Sequence, residues 1–130
     1  MFTLYSANCT GQASNCLYPH PVTITDEAAL AAAVGRDYVC AQYLNSYRTN
    51  DNFIGSDCLP VDCDNDHSEN PGDWVTPADV QAAFPGITFA VHYSRFQKYG
   101  LNCKTSFIHS SYKSNHLYEG SEHLEGAVRG

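Results

Sequence analysis

The residues best placed to do chemistry are Asp62 and Asp64, in Val61-Asp62-Cys63-Asp64 at the end of the short apolar run Cys58-Leu59-Pro60-Val61. On an extended strand alternate side chains point the same way, so both carboxylates project from one face with α-carbons about 6–7 Å apart. Two carboxylates at that spacing can converge on divalent ions. A pair of oxygen-ligated Mg²⁺ or Mn²⁺ ions about 4 Å apart is what nucleotidyl transfer needs, one activating the attacking hydroxyl and the other holding the triphosphate leaving group. Asp62-x-Asp64-x-Asp66, with Asp73 in the twelfth place, also opens like a calcium-binding helix-loop-helix loop. Against that, His67 stands where such a loop turns on glycine, its last ligand is usually Glu, and the preceding segment is strand-like and interrupted by Pro60.

The surrounding composition sets bounds on the chemistry. The chain has 130 residues, 43% hydrophobic and 16% charged, which is one domain's worth of protein and enough to build a core without staples. Its net charge of -7 is uneven: residues 49–94 contain no Lys or Arg and carry -8, whereas residues 1–48 carry -1 and residues 95–130 carry +2. No basic stripe exists for gripping nucleic acid by charge alone. An acidic stretch is also what a solvated surface looks like. The six cysteines are even in number, and Asn8-Cys9-Thr10 matches a glycosylation acceptor, which admits a secreted disulfide module. The start, Met1-Phe2-Thr3-Leu4-Tyr5-Ser6, has no basic and apolar leader pattern, and no run is long enough to span a membrane. The expected compartment is therefore the cytoplasm, with free thiols. Cys16 and His20 are spaced like two zinc ligands, but no second pair accompanies them.

The elements that must position the carboxylates are legible in outline. Leu4 and Tyr5 read as a short strand, and Cys16-Leu17-Tyr18 as an extended piece ended by Pro19 and Pro21. Thr25 as N-cap, Asp26 and Glu27 in the first turn, the alanine-rich run to Val34 and Gly35 beyond it predict a helix over about 26–34. Residues 37–48 read as a strand fraying at Asn50-Asp51-Asn52. Thr76, Pro77 and Asp79 predict a capped helix stopped by Pro85-Gly86, and Ile87–Val91 a strand. Strand, acidic loop, helix, strand is a β-α-β crossover, so an α+β chain is expected, with an α/β-type sheet and helices on one face. Residues 98–130, rich in Ser, Asn, His and Gly, show no sustained period and read mostly as irregular or disordered tail.

Several long segments carry a family resemblance. These are Met1–Asn8, Asn15–His20, Asp51-Asn52-Phe53, Asp62–Pro71, Trp74–Pro77 and Phe89–Arg95. Across residues 1–95 the chain resembles the N-terminal part of the primase-polymerase domain of bacterial mobile elements and phages, within the archaeo-eukaryotic primase superfamily. The resemblance implies a truncated primase-polymerase catalytic half engaged in DNA replication. Asp62 and Asp64 would be the first catalytic and metal-binding motif, with Mg²⁺ or Mn²⁺ as cofactor and nucleoside triphosphates and single-stranded DNA as partners. Ser94 and Arg95 match the nucleotide-binding segment leading into the second motif, a His that contacts phosphates. The family continues there with a basic stretch and Lys-Phe-His, whereas this chain continues Phe96-Gln97-Lys98-Tyr99-Gly100, leaving His109 as the nearest stand-in. The third metal-binding acid has no counterpart among residues 96–130.

Two accounts fit that loss of resemblance: a change of reading frame near Arg95, or a shortened chain kept for another use. Reading the coding DNA in its other two frames beyond Arg95 separates them. The functional readings are accordingly a truncated primase-polymerase domain of little or no activity, a small mobile-element or phage decoy that docks on a replication or defence protein, and a secreted disulfide module.

Overall fold

The computed structural model describes residues 1–94, 97, 98 and 100–110, and they form a mixed α+β architecture. Strand β1 (Phe2–Ser6) lies between β2 (His20–Ile24) and β3 (Tyr38–Val39), antiparallel to both. Helix α1 (Glu27–Ala33) follows β2. Its N-cap is Asp26, one residue later than expected, with the carboxylate accepting from the Ala29 N–H at 2.8 Å. Residues 37–48 do not make one strand. They split into β3 and β4 (Gln42–Tyr43), and β4 pairs with β5 (Phe53–Gly55).

Strand β6 (Cys58–Asp64) carries the acidic pair and leads through an ordered loop into α2 (Pro77–Ala83) and β7 (Phe89–Tyr93). The loop is held by its own polar groups: the Asn65 side chain exchanges hydrogen bonds with the Val75 backbone, and the Trp74 indole donates to Ser68 O at 3.0 Å. The α2 start is the expected capping box. Thr76 Oγ1 accepts from Asp79 N–H, and the Asp79 carboxylate, accepting from the Thr76 backbone, is held below the usual carboxylate range.

Strands β6 and β7 are both antiparallel to β10 (Lys104–Ser110), which lies between them. They are therefore parallel to each other, and the β-α-β crossover is split by an inserted strand. A short hairpin, β8 (Gln97–Lys98) and β9 (Leu101–Asn102), turns the chain from β7 toward β10, with Gly100 at φ 71. The expectation of mostly irregular or disordered chain over residues 98–130 is thus corrected for 104–110, while residues 111–130 lie outside the described ones. Strand β10 hides from sequence reading because it is covered on both faces. Ile108 joins the main core with Phe2, Leu4, Ile24, Leu30, Cys58 and Ala90, and Phe107 packs on the other face with Val91 and Val80 of α2. A strand buried on both sides loses the alternation that marks a half-exposed one.

This placement predicts that Phe107→Ala lowers unfolding stability by about 3–5 kcal/mol and Ile108→Ala by about 2–5 kcal/mol, as for other full core truncations. Urea unfolding of each variant checks it, and losses below about 1 kcal/mol at both positions would show that β10 is not a core strand.

Candidate functional site

Register across β6, β10 and β7 decides which side chains meet. Ser106 stands opposite both Asp62 and His92, and Ile108 opposite both Pro60 and Ala90. On one face of the sheet the rows therefore run from apolar (Pro60, Ile108, Ala90) to polar (Asp62, Ser106, His92). A third row follows, in which Lys104 is paired with Asp64 and accepts the Ser94 N–H at its carbonyl, 2.9 Å away. The Ser106 hydroxyl donates to Asp62 Oδ1 at 2.7 Å, and Lys104 Nζ lies 3.2 Å from Asp64 Oδ2. That ion pair raises the Lys104 pKa, and both side chains remain well exposed.

The middle row is closed from above by the first sheet. The Tyr38 hydroxyl of β3 lies 2.5 Å from His92 Nε2, and His92 Nδ1 lies 3.1 Å from Tyr93 O. A carbonyl oxygen only accepts, so Nδ1 carries a proton, and in the neutral ring Nε2 accepts from Tyr38. Burial, and then the neighbouring Cys40, push the Tyr38 pKa well up, so its hydroxyl keeps its proton. His92 is only 6% exposed, whereas Asp62 faces solvent. The row opens onto a cleft of about 1000 Å³ lined by Tyr38, Asp62, His92, Ser94 and Ser106, with Arg36 and Arg48 also in its walls.

The residues singled out from sequence fall as follows. Asp62 and Ser94 line the cleft, and Asp64 follows Asp62 on the same face at the strand end. Arg95 lies outside the described residues. His109 is not brought to the carboxylates: three positions along β10 from Ser106, it projects from the opposite face, beside the Phe89 ring with Nδ1 3.1 Å from Thr88 O. The histidine that does share the row is His92, which the sequence reading passed over. Its signal was a lone polar residue at the alternate position of the apolar strand Phe89-Ala90-Val91-His92-Tyr93. Arg36 and Arg48 were missed because only the fold brings them to the cleft.

Comparison with protein-family models, with curated proteins and with solved structures finds no match. What the site can do follows from its own groups. Among the described residues no set of three or more His, Cys, Asp or Glu side chains is gathered as a metal cage. Two carboxylates on one strand face still suit a hard cation that keeps most of its water and leans on substrate phosphate, as Mg²⁺ commonly does. All six cysteines are free thiols. Among the described residues no helix is long and apolar enough to cross a membrane.

The hydrogen bonding of His92 predicts one tautomer, with the proton on Nδ1 and none on Nε2 at neutral ring charge. Long-range ¹H–¹⁵N correlation spectra read this directly. Tyr38→Phe, which deletes the hydroxyl facing Nε2, is expected to cost about 1 kcal/mol in unfolding stability. A proton found on Nε2 of the neutral ring would contradict the arrangement.

Proposed function

We propose that this chain is a primase-polymerase-like domain that holds a divalent cation and a nucleoside triphosphate at the Asp62 row without carrying out efficient polymerisation. The observation that carries this reading is the placement of Asp62 and Asp64 at successive positions of one strand face, Asp62 in the wall of a cleft that Arg36 and Arg48 also line. The sequence resemblance over residues 1–95 supports it independently. Carboxylates that repel each other across a strand gain from a cation between them, and a triphosphate needs positive groups within reach of its oxygens. A bound Mg²⁺ or Mn²⁺ would supply Lewis acidity to the phosphates. The chain's own part is to hold that ion at Asp62 and Asp64 and to receive phosphate charge near Arg36 and Arg48.

The same inventory argues against turnover. The described residues supply two of the three acids that the resemblance calls for, and Asp64 is already shared with Lys104. Loss of one metal ligand and of a correctly placed phosphate contact together corresponds to 10⁴-fold or more in rate, on the order of 6 kcal/mol. A second reading, a small protein that docks on a replication or defence protein, is favoured by one feature: Leu59 and Val61 stand 61% and 45% exposed on the outer edge strand β6.

Titration with Mn²⁺, followed by paramagnetic line broadening, is expected to affect Asp62 and its neighbours first and to lose that effect in the Asp62→Asn, Asp64→Asn double variant. Lys104→Met, which removes the competing charge at Asp64, should tighten Mn²⁺ binding by about two- to three-fold, the scale of an exposed ion pair. Broadening unchanged in the double variant would place the ion elsewhere and remove the basis for the reading. Purified protein with Mg²⁺, nucleoside triphosphates and single-stranded DNA is expected to give no detectable primer synthesis or extension. Robust extension abolished by Asp62→Ala would show instead that residues 96–130 supply the missing groups.

A further inference from the structure

The floor of the cleft contains chemistry that nucleotide binding does not use. Cys40, beside β3, and Cys58, the first residue of β6, are both 9% exposed and both line the cleft. They are not merely near in space. The Cys58 thiol reaches across to Cys40, its Sγ lying 3.9 Å from the Cys40 carbonyl oxygen. The Ser56 hydroxyl ties the two backbones together: it donates to Cys40 O at 2.5 Å and accepts from Cys58 N–H at 3.3 Å. The remaining cysteines stand apart from this pair. Cys63 lies on the opposite face of β6, and Cys9 and Cys16 belong to the loop between β1 and β2. Cys103 is buried at the start of β10.

We propose that Cys40 and Cys58 form a reversible disulfide on exposure to hydrogen peroxide, making the cleft floor a redox-sensitive site. The Cys58 sulfur attacks one peroxide oxygen, the O–O bond breaks, and water leaves as Cys58 becomes a sulfenic acid. The Cys40 sulfur then attacks the Cys58 sulfur, the S–O bond breaks, and a second water leaves with the Cys40 proton. Two thiols are oxidised and one peroxide is reduced to two waters. Cys58 is the attacking partner because its neighbours Cys40 and, less strongly, Ser56 hold its pKa below the ordinary thiol value against the opposing effect of burial, whereas Cys58 and burial push Cys40 up. Cys58 shares its strand face with Asp62. A bond between the two sulfurs ties the turn after β3, next to Tyr38, to the root of the strand that carries the carboxylates.

Mass mapping of the folded protein after brief treatment with hydrogen peroxide tests this. Trypsin separates the partners, because Cys40 lies in residues 37–48 and Cys58 in residues 49–95. The expected result is a loss of about 2 Da from the intact chain, reversed by dithiothreitol, with those two peptides joined. The link should persist in Cys63→Ser, which excludes the other cysteine of the second peptide, and vanish in Cys40→Ser and in Cys58→Ser. Amide resonances of Tyr38 and Asp62 should shift on oxidation while that of Val80, under the other face, stays in place. Joining through any other cysteine, or peroxide treatment that leaves Cys40 and Cys58 free to alkylation after denaturation, would overturn the proposal. So would unmoved Tyr38 and Asp62 resonances in the linked protein. None of these readouts requires a metal or nucleotide, so failure here and failure of the nucleotide-binding reading are separable.

Discussion

Strand β10 is the constraint on which the rest of the structure depends. Strands β6 and β7 run parallel and make no ladder with each other, so their inward backbone groups are satisfied only because β10 pairs antiparallel with both. Its register is pinned by burial, since Phe107 and Ile108 fill different cores on opposite faces. A slip of one residue would exchange those two side chains and drive Ser106 through the sheet to the other face. The row Asp62, Ser106, His92 is thus a by-product of packing two apolar residues correctly.

That row sits where the sheet changes character. Beneath it lie Ile108 and Ala90 in the main core, and beyond it the solvated pair Lys104 and Asp64. His92 can be buried there because both ring nitrogens have partners, which removes the main cost of taking a polar ring out of water. Asp62 faces the cleft and accepts a hydrogen bond from the Ser106 hydroxyl. The result is a polar shelf with a fixed floor and an open mouth, in a cleft that Arg36 and Arg48 also line.

Legibility from sequence followed how local each signal was. The α2 boundaries were readable because Thr76, Pro77 and Asp79 act on one another within a single turn. The acidic pair was readable because period-two alternation needs no knowledge of neighbours. Strand β2 was not, since Pro21 looks like a terminator; it is tolerated because β2 is an edge strand with β1 on one side only. Strand β10 was lost because burial on both faces erases alternation, and with it went the information that His109 and Asp62 point apart while His92 and Asp62 point together. Which histidine belongs to the site is a question of register between strands whose paired residues lie 40–52 apart for β6 with β10 and 12–20 apart for β7 with β10. No local pattern encodes that.

Cross-strand nuclear Overhauser effects in the isotope-labelled protein measure that register most directly. Contacts from Ser106 to both Asp62 and His92, with Ile108 contacting Pro60 and Ala90, are the predicted result. Contacts that instead set Thr105 or Phe107 opposite Asp62, or no contacts between residues 104–110 and β6, would contradict the account, because the carboxylates and His92 would then no longer share one face of a continuous sheet.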